Sequence, residues 1–181
     1  MNKGYARAFF EIAKEDNTLN ECKESFDVFI TILKEETDFN LVLNSPKIKA
    51  EEKKDLIKKT FVNCSENFIL FLFVVLDNRR IANIEDIYTE FLHFYNEENK
   101  IKVAQIVSQK PLTSLEEAKL LDSLKKYYTG YDVVIDNVVN PSLVGGYHIL
   151  VNGLSIDLSF KRKIDDLESY VLTTKSIKEV I

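Results

Sequence analysis

The sequence predicts an α+β protein in two parts: an all-α bundle up to about residue 100, then a small α+β domain with a β-hairpin. Three observations carry this expectation. Over residues 3–99 the apolar positions recur at steps of three and four, the period of helices that each bury one face. At Ile101 the pattern changes to the β-rich run IKVAQIVSQ, and a second β-branched run follows at 132–139. Asn152-Gly153 then sits between two alternating runs, a strong hairpin signal because a type I′ turn needs positive φ at both central residues. The expected boundary divides the chain into 1–100 and 101–181.

Each element has its own justification. Tyr5, Phe9 and Ile12, joined by Ala6 and Ala13, make the stripe of a first helix. Leu19, Cys22, Phe26, Phe29 and Leu33 make that of a second. After a short apolar stretch at 39–43, Asn44-Ser45-Pro46 breaks the pattern. Residues 49–61 read as a strongly charged helix with Leu56, Ile57 and Thr60 as its inward candidates. Ser65 then opens a helix running to Asp77-Asn78 that is apolar nearly all round, and such a helix is expected at the centre of a bundle, wrapped by the others. Ile84, Ile87, Tyr88, Phe91, Leu92 and Tyr95 complete the helical half.

In the second half, Pro111 ends the first strand and Ser114-Leu115-Glu116-Glu117 has capping-box spacing. Leu120, Leu121, Leu124 and Tyr128 form the helical stripe behind it, and Gly130 stops that helix. With Asn152-Gly153 as a two-residue loop, Val151 faces Leu154, Ile149 faces Ile156 and Tyr147 faces Leu158 on one side of the hairpin. His148 faces Asp157 and Leu150 faces Ser155 on the other. Each apolar pair contributes roughly 0.2–1 kcal/mol. A last helix begins at Lys161-Arg162-Lys163, with Phe160, Ile164, Leu167 and Val171 as its stripe.

Composition narrows the functional classes. The 181 residues are 45% hydrophobic and 29% charged, enough for one globular unit or two small ones. A net charge of -5 repels nucleic-acid phosphates and anionic lipid headgroups, so the expected partners are proteins. The longest apolar run, FILFLFVVL, is far below the roughly 20 residues of a membrane span. The N-terminal stretch lacks the apolar core and cleavage site of a signal peptide, which points to a cytosolic chain. Cys22 and Cys64 are too few for a disulfide framework or a thiolate metal site and read as reduced thiols.

No constellation of reactive groups emerges. A phosphate-binding loop needs glycines that lead into a helix N-terminus, whereas Gly145-Gly146 leads into a strand. His148 opposite Asp157 reads as a cross-strand pair, since the other histidine, His93, lies across the domain boundary and no motif places a nucleophile. Glu51-Glu52 and Asp165-Asp166 fall in solvated helical runs without metal-ligand spacing. The expectation is therefore no catalytic residue, no cofactor and no metal. Lys161, Arg162 and Lys163, followed by Asp165, Asp166 and Glu168, read as a self-pairing solvated face, although cations in a first turn oppose the helix dipole and leave an acidic partner open.

The segments YARAFFEIA near the N-terminus, NPSLVGG at 140–146 and IDLSFKRKI at 156–164 together resemble the delta subunit of bacterial rotary ATP synthases, relatives of the mitochondrial oligomycin-sensitivity-conferring protein. The resemblance spans essentially the whole chain, and its most specific part is Pro141 to Gly146 with Asp157 and Ser159 at the matching distance. It implies a six-helix N-terminal domain on the catalytic head and a C-terminal domain gripping the peripheral stalk. The subunit would be a non-catalytic stator of the proton-translocating synthase, linking head to membrane sector so that rotation is coupled to ATP synthesis. Implied partners are the N-terminus of an alpha subunit and the C-terminal helices of the b subunit, with no nucleic acid. Membrane contact would come only through partners, on the cytoplasmic side of the cell membrane.

By motif, the resemblance assigns the alpha-subunit helix to a groove between the first and fifth helices. Tyr5, Ala6, Phe9 and Phe10 would line one side, and Phe71, Val74 and Val75 the other. Part of the all-apolar helix would then be an open groove instead of closed core. Stalk binding or its structural support maps to Pro141, Gly145, Gly146, Asp157, Lys161 and Lys163. Two departures stand out: Phe160 replaces a commoner smaller aliphatic residue, and Met1-Asn2-Lys3-Gly4 lacks the usual Arg-rich entry. The rival expectation is a two-domain adaptor unrelated to the synthase, RNA-associated through Lys161, Arg162 and Lys163.

Overall fold

The computed structural model describes residues 2–143, 145–151 and 154–157. Backbone contacts divide the chain into two compact units, Met1–Asn99 and Lys100–Ile181. The first unit contains α1 (Asn2–Glu15), α2 (Leu19–Glu35), α3 (Thr37–Asn44), α4 (Ala50–Thr60), α5 (Glu66–Asp77) and α6 (Ile84–Glu98), with a 3-10 turn at Ile81–Asn83. In the second, β1 (Ile101–Ser108) is followed by α7 (Ser114–Tyr127), β2 (Asp132–Val139), β3 (Tyr147–Val151) and β4 (Leu154–Asp157). The α+β class expected from the sequence is the class observed.

Phenylalanine rings hold the helical unit together. Phe9, Phe26, Phe29, Phe61, Phe68 and Phe91 are among its fully or almost fully buried side chains. Phe9 stacks on Phe71 with ring centroids 4.3 Å apart. Phe26 meets Phe68 at 5.1 Å, Phe91 at 5.6 Å and Tyr88 at 4.9 Å. Such contacts add about 0.5–1.5 kcal/mol per pair beyond the apolar area they bury. Ala6 and Ala13 are fully buried on the same side of α1, where a larger residue would push the helix off its neighbours.

Polar groups inside this unit are satisfied locally. Ser25, almost fully buried, donates to the Glu21 carbonyl at 2.8 Å and accepts from the Ser65 amide at 2.9 Å. Ser65 is thus held at the start of α5 by a residue of α2, and its own side chain makes no capping bond. The Tyr88 hydroxyl donates to Asp27, which Lys23 also holds at 2.6 Å. Burial, reinforced by the Asp27 carboxylate, pushes Tyr88 well above the ordinary tyrosine range.

Three details differ from the sequence expectation. The apolar stretch at 39–43 belongs to α3, a two-turn helix too short for a clear periodic signal. Thr60 is exposed, and the inward position falls instead to Phe61, which follows α4 and is only 2% exposed. Its ring lies 5.2 Å from Phe29 and 5.8 Å from Phe39. Finally, α5 is not wrapped on all sides: Leu70 and Val74 are 52% and 51% exposed. Another side is roofed by α4, whose Lys54 and Lys58 lie 5.7 and 5.4 Å from the Phe73 ring centroid.

The second unit is built on a sheet of order β2-β1-β3-β4. β1 and β2 pair in parallel through the α7 crossover, while β1 with β3 and β3 with β4 are antiparallel. The β3–β4 register places His148 opposite Asp157, Ile149 opposite Ile156, Leu150 opposite Ser155 and Val151 opposite Leu154. The turn residues Asn152 and Gly153, Leu158, and the last expected helix lie outside the described residues. Ala104, Ile106, Val133, Ile149 and Val151 are buried on one sheet face together with Leu124 of α7.

The capping box lies one residue earlier than its spacing suggested. Thr113 is the N-cap, and its amide and hydroxyl both donate to Glu116 Oε2, at 2.9 and 2.6 Å. Ser114, the expected cap, is already the first residue of α7. The extended φ and ψ of Thr113, -74° and 155°, let its side chain fold back over the first turn.

Phe68 touches rings from α1, α2 and its own helix, so Phe68→Ala removes a shared packing element. The expected cost is about 3–5 kcal/mol, measured as the shift in urea unfolding against the wild type. A loss below about 1 kcal/mol, the ordinary range of surface changes, would contradict the central place given to this ring.

Candidate docking surfaces

The first candidate surface follows from how α1 meets α5. Asn67, in the first turn of α5, donates to Asp16 at 2.9 Å and to Thr18 at 3.2 Å, just past the end of α1. Phe9 stacks on Phe71 further along. The two helices therefore run antiparallel, with their large rings turned inward. Helical spacing then sends Tyr5, Ala8 and Ile12 to one outer edge of α1, and Leu70 and Val74 to the corresponding edge of α5. Ile12, Leu70 and Val74 are each about half exposed, at 50%, 52% and 51%. The result is an apolar stripe on two adjoining helices.

The seven expected groove residues are not all on this stripe. Ala6, Phe9, Phe71 and Val75 are buried in the core. Tyr5 is half-buried, and Val74 is exposed. Phe10 faces another way, packing on Phe94 of α6 at 5.7 Å with Lys14 over its ring. Ala8, Ile12 and Leu70 share the stripe although the motif does not assign them to a groove, and Ile12, expected on the inward stripe of the first helix, is half exposed. Their signal was present as the spacings 5, 8, 12 and 70, 74, the outer edges of the same two helices.

The second candidate surface surrounds the Pro-Ser-Leu-Val-Gly-Gly segment. Asn140 Oδ1 accepts from the Ser142 amide at 3.1 Å and from the Ser142 hydroxyl at 2.7 Å, forming a side-chain-stabilised turn. Pro141 is exposed in that turn. Gly145 and Gly146 have φ of 71° and 79°, two successive left-handed residues that only glycine adopts without strain. The chain then enters β3 at Tyr147, whose hydroxyl donates to Glu116 Oε1 at 2.9 Å. This bond ties the loop exit to the start of α7. A cavity of about 460 Å³ lies between Gly145-Gly146 and residues 108–113.

Asp157 is described only through its backbone, at the end of edge strand β4, and Lys161 and Lys163 lie outside the described residues. His148, opposite Asp157 in register, has its Nε2 2.7 Å from the Ser155 hydroxyl. Among the described residues no group of three or more His, Cys, Asp or Glu side chains is placed to hold a metal. Cys22 and Cys64 are both free. No helix of the described residues is long and apolar enough to cross a membrane.

Two compact units thus present apolar and loop surfaces among the described residues. Comparison with known proteins names the class. The family model for the ATP synthase delta (OSCP) subunit matches residues 1–171, and the chain belongs to that family. It is 32% identical over 168 residues to the ATP synthase subunit delta of Bacillus licheniformis, covering 93% of this chain and 91% of that one. The Bacillus subtilis subunit is 31% identical over 168 residues, 93% of each chain. The chloroplastic subunit of Galdieria sulphuraria is 32% identical over 163 residues, 90% of this chain and 92% of that one. A chain of the Toxoplasma gondii mitochondrial ATP synthase hexamer shares the fold, with a TM-score of 0.80 at 20% identity over 95% of this chain and 97% of that one.

The chain is accordingly a peripheral-stalk subunit of ATP synthase, a stator component without an active site of its own, that associates with other subunits as a peripheral part of the complex. The rival adaptor reading finds no support in these relatives.

The clasp at Glu116 sets a pH dependence. Hydrogen bonds from the Thr113 hydroxyl and amide, then from Tyr147, hold its carboxyl down to about 2 from an ordinary 4.5. A depressed carboxyl stabilises the fold above its unfolded value and loses that contribution as pH falls through its folded one. The melting gap between wild type and Glu116→Gln is therefore expected to be full above about pH 4.5 and to close toward pH 2. A gap independent of pH would show that the charge of the clasp is irrelevant.

Proposed function

We propose that the helical unit binds the catalytic head by receiving the amphipathic N-terminal helix of an alpha subunit along the α1/α5 stripe. The observation that carries this reading is the half-exposure of Ile12, Leu70 and Val74 on two antiparallel helices. Helix-in-groove recognition uses apolar anchors at i, i+3 or i+4, and i+7, and a stripe of this width complements them. Tyr5 and Val74 belong to the contact, whereas Ala6, Phe9, Phe71 and Val75 shape it from beneath. Phe10 braces α1 against α6.

The α+β unit holds the C-terminal helices of the b subunit, with Pro141, Gly145, Gly146, Asp157, Lys161 and Lys163 as the contact or its support. Such a stator component sits on the cytoplasmic side of the cell membrane and meets the membrane only through its partners. Its task in the proton-translocating enzyme is mechanical: it joins head to membrane sector and resists the torque that couples rotation to ATP synthesis. A device of this kind needs broad protein-binding surfaces and preformed, close-packed frames that do not deform under load.

Calorimetry with a peptide from the same organism's alpha-subunit N-terminus tests the head contact. Wild type is expected to bind one peptide, and Val74→Asp to weaken binding by about tenfold or more, since an unpaired carboxylate would be buried. Because Val74 is half exposed, that substitution should change stability by only about 0.5 kcal/mol. Absence of binding heat with the wild type would sink this reading.

A further inference from the structure

We infer that the helical unit carries a second docking groove, separate from the α1/α5 stripe, that takes an acidic, apolar-anchored segment of a protein partner. A cavity of about 590 Å³ opens between the α3–α4 loop, the end of α5 and the 3-10 turn. Its volume lies within the range of about 300–1,000 Å³ typical of binding clefts. Leu43, Ile48, Leu76 and Ile81 form an aliphatic floor. Lys53 from α4 and Arg79 beyond α5 stand in its lining.

The charges of this lining are unbalanced. Among the described residues Asp77 is its one carboxylate, and Lys54 already holds it at 2.6 Å. Neither Lys53 nor Arg79 is ion-paired among the described residues. On a chain of net charge -5, two uncompensated cations over an apolar floor are complementary to a carboxylate-bearing segment. The aliphatic floor favours such a segment over a free phosphate, which would leave it uncovered.

Arg79 adds a second indication. Its φ is 55°, in the left-handed region, where it closes α5 by donating its amide to the Leu76 carbonyl at 2.9 Å. Glycine is the residue that adopts this closing position without strain. An arginine there instead puts into the lining a residue whose planar guanidinium fork can grip carboxylates bidentately.

The groove also has a direction. A smaller cavity of about 150 Å³ shares Asn44, Ile81 and Ala82 with the first, and Glu85 and Asp86 line it. Cations at one end and carboxylates at the other orient a bound segment with its acidic end over Lys53 and Arg79. Neither cavity is lined by a residue of the α1/α5 stripe.

The test uses the full chain within the assembled synthase, with the photo-crosslinking residue p-benzoylphenylalanine placed at Ala82 and, in a separate preparation, at Val74. The expected result is an adduct at Ala82 that mass spectrometry maps to a partner segment rich in Asp or Glu. Combining Lys53→Glu with Arg79→Glu should lower its yield by about tenfold, the loss of a charge-assisted contact, and leave the Val74 adduct unchanged. The inference is overturned by no adduct at Ala82 in complexes where Val74 gives one, by an adduct to a segment without carboxylates, or by a yield indifferent to charge reversal. An Ala82 adduct sensitive to charge, with none at Val74, would support this groove while removing the head contact proposed above.

Discussion

Phe26 is the residue on which the helical unit converges. Its ring meets Phe9 of α1, Phe68 and Phe71 of α5, and Tyr88 and Phe91 of α6. One turn further along α2, Phe29 carries the contact to Phe39 of α3 and to Phe61 after α4. Every helix of the unit, or the residue that ends it, thus reaches one continuous aromatic network. The helices are 8 to 17 residues long, marginal lengths in isolation, so packing on this network is what makes them persist.

The same arrangement leaves surface for partners. Rings that point inward from α1 and α5 hold the two helices side by side, and the apolar residues one position around each helix then have no internal neighbour to cover them. Ile12, Leu70 and Val74 are open because Phe9 and Phe71 are closed. α4 covers another side of α5 through lysines over Phe73 and the Lys54–Asp77 bridge, and beyond that bridge the chain turns to frame the cation-lined groove. For the head contact proposed above this is an economy, since the packed side of each helix gives stiffness while the open side is left for a partner.

In the α+β unit the comparable constraint is the join between α7 and the strand after Gly145-Gly146. Asn137 contributes from β2, donating to Ile106 and Ser108 and accepting from the Leu112 amide, so it holds the β1–α7 connection. Thr113, Glu116 and Tyr147 then fasten the start of α7 to β3. Consecutive left-handed glycines let the chain arrive at Tyr147 in the orientation this clasp requires. Gly145 and Gly146, which the sequence already separates from a phosphate loop because they lead into a strand, form the turn of that strand entry.

Much of this was legible in the amino-acid order. Periods of three and four gave the long helices, the β-branched runs at 101–109 and 132–139 gave two strands, and the motif at 140–146 with its partners downstream pointed to the family. The gaps have physical causes. The two-turn α3 offers too few residues for a period to show, and Thr113 displaces the expected cap Ser114 through extended backbone angles that sequence does not display. For α5 the difficulty is greater, because a helix apolar on every side has no polar face to mark its outside. Sequence by itself determined which segments become helix or strand and how much apolar surface each carries, since those depend on local period and composition. Only tertiary packing decided which of those apolar residues stay open, and only packing brought Leu43, Lys53, Arg79 and Ile81 to one groove, because exposure depends on what the rest of the chain places opposite each side chain.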